Sequence, residues 1–117
     1  MNSHKKEITF NKNFSSYYKD FVPDLVVIIP SKFDVYCNFI SEVDCKNNNY
    51  IKKIISTDLF KYSIIIDSTP FLIEKASEEL QKNNFLYYLD DTHLNSLGSA
   101  YLSEFLVEKL KVEKILN

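Results

Sequence analysis

Short apolar runs alternate along this chain with segments whose apolar positions repeat every three or four residues. Two of the runs, Leu25–Ile29 and Ser63–Asp67, are rich in β-branched residues and apolar on both faces. That pattern is typical of buried strands in a parallel sheet. A third run, Phe85–Leu89, leads into a polar turn, and it predicts a third short strand.

The segments with helical spacing predict four helices, over 13–21, 50–55, 69–83 and 95–111. Thr69 and Pro70 are expected to begin the third of these, as an N-cap followed by proline at the first helical position. The segment 31–44 shows no regular period and is predicted to be irregular. Helices and buried strands that alternate in this way predict an α/β fold, with a parallel sheet covered by helices on both faces.

Composition narrows the class of protein. A chain of 117 residues with 45% hydrophobic residues is long and apolar enough for one packed domain. The net charge of −2 is spread along the chain and favours neither nucleic acid nor a membrane surface as partner. The longest apolar run is too short to cross a bilayer, and the polar start Met1–Lys6 does not read as a signal peptide. We therefore expect no membrane segment, and a cytoplasmic location if the chain is complete as given.

Cysteine and glycine each exclude a class of site. Cys37 and Cys45 lack metal-ligand spacing and are predicted to be reduced, structural thiols. Gly98 is the only glycine, so the glycine-rich loops that cradle phosphates or dinucleotides cannot form. A Gly-x-Ser-x-Gly nucleophile elbow is excluded by the same count. No cofactor is predicted.

The strongest candidate for chemistry is the stretch that joins the third predicted strand to the last helix. Asp90 and Asp91 end the strand, His93 follows, and Asn95 opens the helix. A carboxylate beside an imidazole accepts the Nδ1 proton and leaves Nε2 free to act as a general base. The only other histidine, His4, lies in the polar N-terminal tail.

This stretch resembles the last conserved block of the SGNH/GDSL hydrolases, Asp-x-x-His followed by Leu-Asn-x-x-Gly. Asp90 is the partner of His93 in the register of ordinary SGNH esterases. Asp91 is the partner in Asp-Thr-His, the register of the alginate O-acetyltransferase-like branch, and the sequence leaves both open. The segments Asp24–Lys32 and Ile66–Leu72 are similar to other parts of the same superfamily.

The resemblance implies a single, partial SGNH hydrolase-like domain over 1–117. Its fold would be three-layered and flavodoxin-like, with helices on both sides of a parallel sheet of about three strands. The implied activity is ester hydrolysis or O-acyl transfer on carbohydrate or lipid esters, with a small-molecule or polysaccharide ester as substrate. His93 would be the general base and acid, and Asp90 or Asp91 would orient it. The resemblance implies neither a metal ion nor a cofactor at this catalytic site.

The family's Gly-Asp-Ser nucleophile block and its glycine-bearing oxyanion blocks are missing from this sequence. The serine must then come from outside these residues or be absent, and the chain alone is expected to be inactive. The alternative is a truncated or degenerate α/β domain that binds without catalysis.

Three further residues have two interpretations each. Ser68, the only serine directly after an aspartate, is either a nucleophile or, more simply, a cap for the following helix. Lys32 and Tyr36 follow a strand, where they would contact substrate or, more simply, be solvated. A metal site from Asp90, Asp91 and His93 is disfavoured because no second histidine is nearby. The aromatic residues near the turn and the N-terminus are expected to pack in the core, and they are Phe14, Tyr17, Tyr18, Phe85, Tyr87 and Tyr88.

Overall fold

The computed structural model describes residues 23–40, 45, 53 and 55–115, which form a small α/β domain with two parallel strands and three α-helices. In chain order the elements are β1 (Leu25–Ile28), α1 (Lys32–Tyr36), a 3₁₀ turn (Cys37–Phe39), a second 3₁₀ turn (Asp58–Phe60), β2 (Ile64–Asp67), α2 (Thr69–Leu80) and α3 (Ser96–Val112). The predicted helix over 13–21, with its aromatic residues, and most of the one over 50–55 lie outside the described residues. The α/β class predicted from the sequence is confirmed.

β1 and β2 are hydrogen-bonded neighbours that run in the same direction. The N–H of Ile64 donates to the carbonyl of Asp24 at 2.8 Å, and the N–H of Ser68 donates to the carbonyl of Ile28 at 3.1 Å. The third predicted strand does not form. Its residues Phe85–Leu89 contribute one isolated antiparallel bridge, between Tyr87 and Leu94, because the chain turns back on itself at once.

The chain divides into two compact units, and the candidate site lies wholly in the second. The first unit comprises Met1–Val26 and Lys46–Ile65, and Phe60 is its buried aromatic residue among those described. The second comprises Val27–Cys45 and Ile66–Asn117, and it contains all three helices.

The core of the second unit is built where α1 packs on α2 and where α2 packs on α3. Its buried members come from α1, from α2 and from the segment before the polar turn, and they are Val35, Leu72, Ala76, Leu86 and Tyr87. Burying side chains of this size contributes about 1.5–3 kcal/mol each for the larger ones. The polar end of Tyr87 is satisfied inside this core, because its hydroxyl donates to the carbonyl of Pro30 at 2.6 Å.

α1 lies in a segment that was predicted to be irregular, and that prediction is wrong. The N–H of Asp34 donates to Oγ of Ser31 at 3.0 Å, and the N–H of Ser31 donates to the carboxylate of Asp34 at 3.2 Å. This reciprocal capping box stabilises the first turn. The signal, Ser-x-x-Asp after a proline, was present in the sequence, but a helix of five residues is too short to show a period.

Cys37 and Cys45 form a disulfide, so the prediction of reduced thiols is also wrong. Their Cα atoms lie 5.8 Å apart, within the usual range for a disulfide. Cys37 is buried directly after α1. The contact depends on how the chain turns after that helix, which the spacing of the two cysteines does not reveal.

The two longer helices form close to where the sequence predicted them. α2 has Ser68 at its N-cap position, one residue earlier than predicted, and the N–H of Thr69 donates to the carboxylate of Asp67 at 2.9 Å. α3 begins after Asn95 as predicted, but Gly98 is its one buried residue among those described, and its apolar side chains are partly exposed. Among the helices that the structure describes, none combines the length and apolar character needed to span a bilayer.

Candidate functional site

The candidate residues lie on an exposed turn that opens into α3. The N–H of Tyr88 donates to the carbonyl of His93 at 3.1 Å, and the N–H of Asn95 donates to the carbonyl of Leu86 at 2.9 Å. These two hydrogen bonds close the turn on either side of the Tyr87–Leu94 bridge. The tip of the turn, 88–93, is exposed to solvent.

Asp91 and His93 form a close pair on this turn. Oδ1 of Asp91 lies 2.5 Å from Nδ1 of His93, and the same oxygen accepts the backbone N–H of His93 at 2.9 Å. Because an ionised carboxylate only accepts hydrogen bonds, Nδ1 carries the hydrogen. The imidazole is 81% exposed, and Nε2 has no hydrogen-bond partner among the described residues. The pair therefore presents an accessible basic nitrogen.

The surroundings of Asp91 favour its ionised form. The backbone N–H of His93, and then its ring, donate to the carboxylate and hold the pKa of Asp91 below its ordinary value. An ionised partner is what a histidine needs in order to keep Nδ1 protonated while Nε2 accepts a proton.

The sequence left open whether Asp90 or Asp91 is the partner of His93. In the structure the partner is Asp91. The side chain of Asp90 is exposed and makes no hydrogen bond with the described residues. An aspartate readily accepts the N–H of the residue two positions later, which is the geometry of an Asx turn. This local preference explains why Asp91 rather than Asp90 meets His93.

Lys32 and Tyr36 bind the segment that leads into the turn rather than facing solvent. Nζ of Lys32 donates to the carbonyls of Tyr88 at 2.7 Å and Leu89 at 2.8 Å. The hydroxyl of Tyr36 accepts the N–H of Leu86 at 2.9 Å, and burial raises the pKa of that hydroxyl. Both interpretations of these residues from the sequence, as substrate contacts or as solvated groups, are therefore replaced by an anchoring role. They lie one helical turn apart on α1, the helix that the sequence analysis missed.

Asn95 and Gly98 join the turn to α3. Oδ1 of Asn95 accepts the N–H of Gly98 at 2.9 Å, and its Nδ2 donates to the carbonyl of Phe85 at 2.7 Å. A Cβ atom on residue 98 would overlap the carbonyl oxygen of Leu86 and lie 2.8 Å from Cδ2 of Leu94. The missing side chain of Gly98 therefore allows the backbone of Leu86 to approach α3.

Ser68 is neither a nucleophile nor a side-chain cap. It is fully buried, and its hydroxyl donates to the carbonyl of Ile28 at 2.7 Å. A hydroxyl that is sealed in the core cannot attack an ester, and its oxygen accepts no hydrogen bond from the start of α2. No serine hydroxyl in the described part of the chain is hydrogen-bonded to His93.

An open groove of about 440 Å³ begins beside the turn. It shares Tyr88 and Leu89 with the tip of the turn, and its other lining residues are Asn83, Asn84, Phe85, Tyr87, Asn95, Ser96 and Leu97. Tyr87 is buried as expected for a core aromatic residue, but Phe85 is 40% and Tyr88 is 49% exposed, so the expectation of core packing is wrong for those two. The groove offers apolar rings beside amide groups.

The site offers no metal centre in the part of the chain that is described. No three histidine, cysteine, aspartate or glutamate side chains there stand close enough together to hold an ion. Of the three residues of the disfavoured metal site, only Asp91 and His93 are in contact, which leaves fewer ligands than a metal ion needs.

The fold and the turn together define a small α/β domain with an exposed histidine–aspartate pair at the start of its last helix. Comparisons with models of protein families, with curated proteins and with solved structures found no match to this chain. The resemblance to the SGNH/GDSL hydrolases stays a prediction from the motifs of the sequence.

Proposed function

We propose that this chain carries the acid–base half of an SGNH-type acyl-transfer site in a flavodoxin-like domain. The reaction would be ester hydrolysis or O-acyl transfer on a carbohydrate or lipid ester. The contact between Asp91 and His93, with Nε2 exposed, is the observation that supports the proposal. The spacing Asp-Thr-His before Leu-Asn-x-x-Gly, which resembles the acetyltransferase-like branch, points to the same chemistry.

In this mechanism Asp91 holds the Nδ1 hydrogen of His93 and stabilises the imidazolium that forms. Nε2 removes the proton from a hydroxyl group as the hydroxyl oxygen bonds to the acyl carbon. Nε2 then returns the proton to the alcohol oxygen as the bond between acyl carbon and alcohol breaks. A serine hydroxyl would give an acyl-enzyme that water or an acceptor hydroxyl resolves, whereas water would give the acid directly.

The attacking serine, if the reaction uses one, comes from outside the described residues. Ser68 is excluded by its burial and by its hydrogen bond to the carbonyl of Ile28. The groove beside the turn would hold the acyl or sugar part of the ester, since exposed rings pack on apolar groups and on sugar faces. The side chain of Asn83 would pair with a hydroxyl or carbonyl oxygen, since Asn84 and Asn95 use their amides within the protein.

The proposal is tested by hydrolysis of p-nitrophenyl acetate with the full chain at about pH 7.5. The chain alone is expected to be inactive on ordinary esters, but p-nitrophenolate is so good a leaving group that a general base acting on water is sufficient for this ester, even without a serine. We expect turnover above buffer that His93→Ala removes and that Asp91→Asn lowers at least about tenfold, since general-base catalysis contributes about 10²–10⁴-fold.

Two matched controls are available. Asp90→Asn tests the neighbouring carboxylate, and His4→Ala tests the other histidine of the chain; both variants should keep the turnover. Turnover at the rate of buffer, or turnover that His93→Ala leaves intact, would contradict the proposal.

The second candidate function is a non-catalytic α/β domain that binds a ligand or partner. The burial of Ser68 favours it, together with the lack of a serine hydroxyl on His93 among the described residues. For such a domain, hydrolysis equals that of buffer, and His93→Ala changes the free energy of unfolding without changing hydrolysis.

A further inference from the structure

The ammonium group of Lys32 lies among three backbone carbonyl oxygens of the exposed turn. Nζ is 2.7 Å from the oxygen of Tyr88, 2.8 Å from that of Leu89 and 3.4 Å from that of Asp91. An ammonium group has three hydrogens to donate and accepts none, so the number of donors matches the number of oxygens. Hydrogen bonds from a charged donor are roughly twice as strong as neutral ones.

These contacts connect parts of the chain that are far apart in sequence. Lys32 opens α1, and the oxygens that it binds are 56 to 59 residues later. The carbonyl oxygens of a turn repel one another when they converge, and a single positive charge between them removes that repulsion. The turn is thus held by a distant side chain as well as by its own hydrogen bonds.

We propose that Lys32 is a positioning residue for the Asp91–His93 pair. Asp91 presents its backbone carbonyl to Lys32 and its carboxylate to His93, so the ammonium restrains the residue that orients the imidazole. Tyr36, one helical turn later, holds the start of the same segment through the N–H of Leu86. The catalytic consequence of this restraint rests on the proposed function, but the restraint itself does not.

A lysine suits this role better than an arginine. The ammonium is a compact point charge whose three hydrogens diverge, whereas guanidinium donates in one plane. Lys32→Arg should therefore keep the charge but lose part of the restraint, and Lys32→Met should lose all of it while retaining the apolar stem.

The test is amide hydrogen exchange measured by NMR on the full chain. The amides of Tyr88 and His93 report on the turn, since each donates a hydrogen bond within it. We expect Lys32→Met to accelerate their exchange at least about tenfold, as the loss of a charge-assisted hydrogen bond implies, and Lys32→Arg to accelerate it less. The amide of Leu72 in α2, which donates to the carbonyl of Ser68, should be unchanged.

Lys111→Met is the matched control, because Lys111 is an exposed lysine in the last turn of α3. It should leave exchange in the turn unaltered. Equal exchange at Tyr88 and His93 in Lys32→Met and in the unsubstituted chain would overturn the proposal. So would acceleration of the same size throughout α2, which would mean general destabilisation.

A measurement on the unsubstituted chain covers the case in which Lys32→Met fails to fold. The ammonium hydrogens of Lys32 should exchange with water at least about tenfold more slowly than those of Lys111, because only the former are all hydrogen-bonded. Similar exchange at the two lysines would contradict the proposal.

Hydrolysis of p-nitrophenyl acetate separates this proposal from the proposed function. If hydrolysis is absent while Lys32→Met still loosens the turn, the positioning role stands and the function fails. If hydrolysis depends on His93 and Lys32→Met changes neither hydrolysis nor exchange, the function stands and the positioning role fails.

Discussion

Asp91 and His93 are joined twice through one oxygen atom. Oδ1 of Asp91 accepts the backbone N–H of His93 at 2.9 Å and faces Nδ1 of the same residue at 2.5 Å. The first hydrogen bond shapes the turn, and the second sets the tautomer of the imidazole. Because both depend on an ionised carboxylate, protonation of Asp91 disturbs the turn and the pair together.

The amide of His93 should therefore report the titration of Asp91. The pKa of Asp91 is held below its ordinary value of 3.8 by hydrogen bonds from the N–H and the ring of His93. These bonds are present above that pKa and are lost as the pH falls through it. We expect the NMR shift of the His93 amide to titrate with a midpoint below 3.8, in Asp90→Asn as in the unsubstituted chain. A midpoint at or above 3.8, or an unchanged titration in Asp91→Asn, would argue against the pairing.

Replacement of Gly98 should destabilise the domain. The new Cβ of Gly98→Ala would overlap the carbonyl oxygen of Leu86, a backbone atom that cannot move aside easily. Overpacking of this kind costs about 1–3 kcal/mol, whereas the better helix propensity of alanine gains about 1 kcal/mol. We expect a net loss in the free energy of unfolding, measured by chemical denaturation. Ser103→Ala, at an exposed position of α3, is the control, and a Gly98→Ala variant as stable as that control would show that Leu86 does not approach so closely.

Glu79 should contribute stability that depends on pH. Glu79 is 5% exposed, and its carboxylate accepts hydrogen bonds from the hydroxyl of Tyr101 at 2.5 Å and from Nδ2 of Asn84 at 2.9 Å. These two bonds, in that order of size, lower the pKa of Glu79 from its ordinary 4.5, and the carboxylate in turn raises the pKa of Tyr101 to about 12. Because the pKa of Glu79 is lower in the folded state, its contribution is complete above pH 4.5 and is lost as the pH falls further.

The corresponding measurement is the free energy of unfolding of Glu79→Gln at about pH 7 and about pH 3. The variant should have a smaller free energy of unfolding than the unsubstituted chain at about pH 7. The difference between the two free energies should be smaller at about pH 3. Glu74→Gln, which changes an exposed carboxylate on the same helix, should show no such narrowing. A difference that stays constant with pH would mean that Glu79 acts through packing alone.

Reduction of the disulfide should lower stability. The bond between Cys37 and Cys45 spans eight residues, and closing a loop of that length in the unfolded chain is worth about 2–3 kcal/mol. A reducing agent should lower the midpoint of thermal unfolding of the unsubstituted chain but not that of Cys37→Ser with Cys45→Ser. An equal midpoint with and without the agent would indicate that the thiols are not paired.

Much of the secondary structure was predictable because its causes are local. The runs of β-branched residues predicted β1 and β2, and the spacing of apolar residues predicted α2 and α3, with Asn95 as the cap of the latter. One failure has a cause outside the segment itself. The Phe85–Leu89 run was predicted as a strand and forms a single bridge, because the segment turns back at once and is bound instead by Asn95 and by Lys32 of α1.

The pairing of His93 with an aspartate was also a local matter, since the two residues are neighbours on one turn and any fold that exposes the turn permits the contact. The sequence by itself therefore determined the α/β class and the candidate pair. Only the tertiary structure decided that Ser68 is sealed in the core and that Lys32 restrains the turn. Each of these depends on backbone groups brought together by packing, and backbone groups are the same at every position of a sequence, so no pattern of residues reveals which of them will meet.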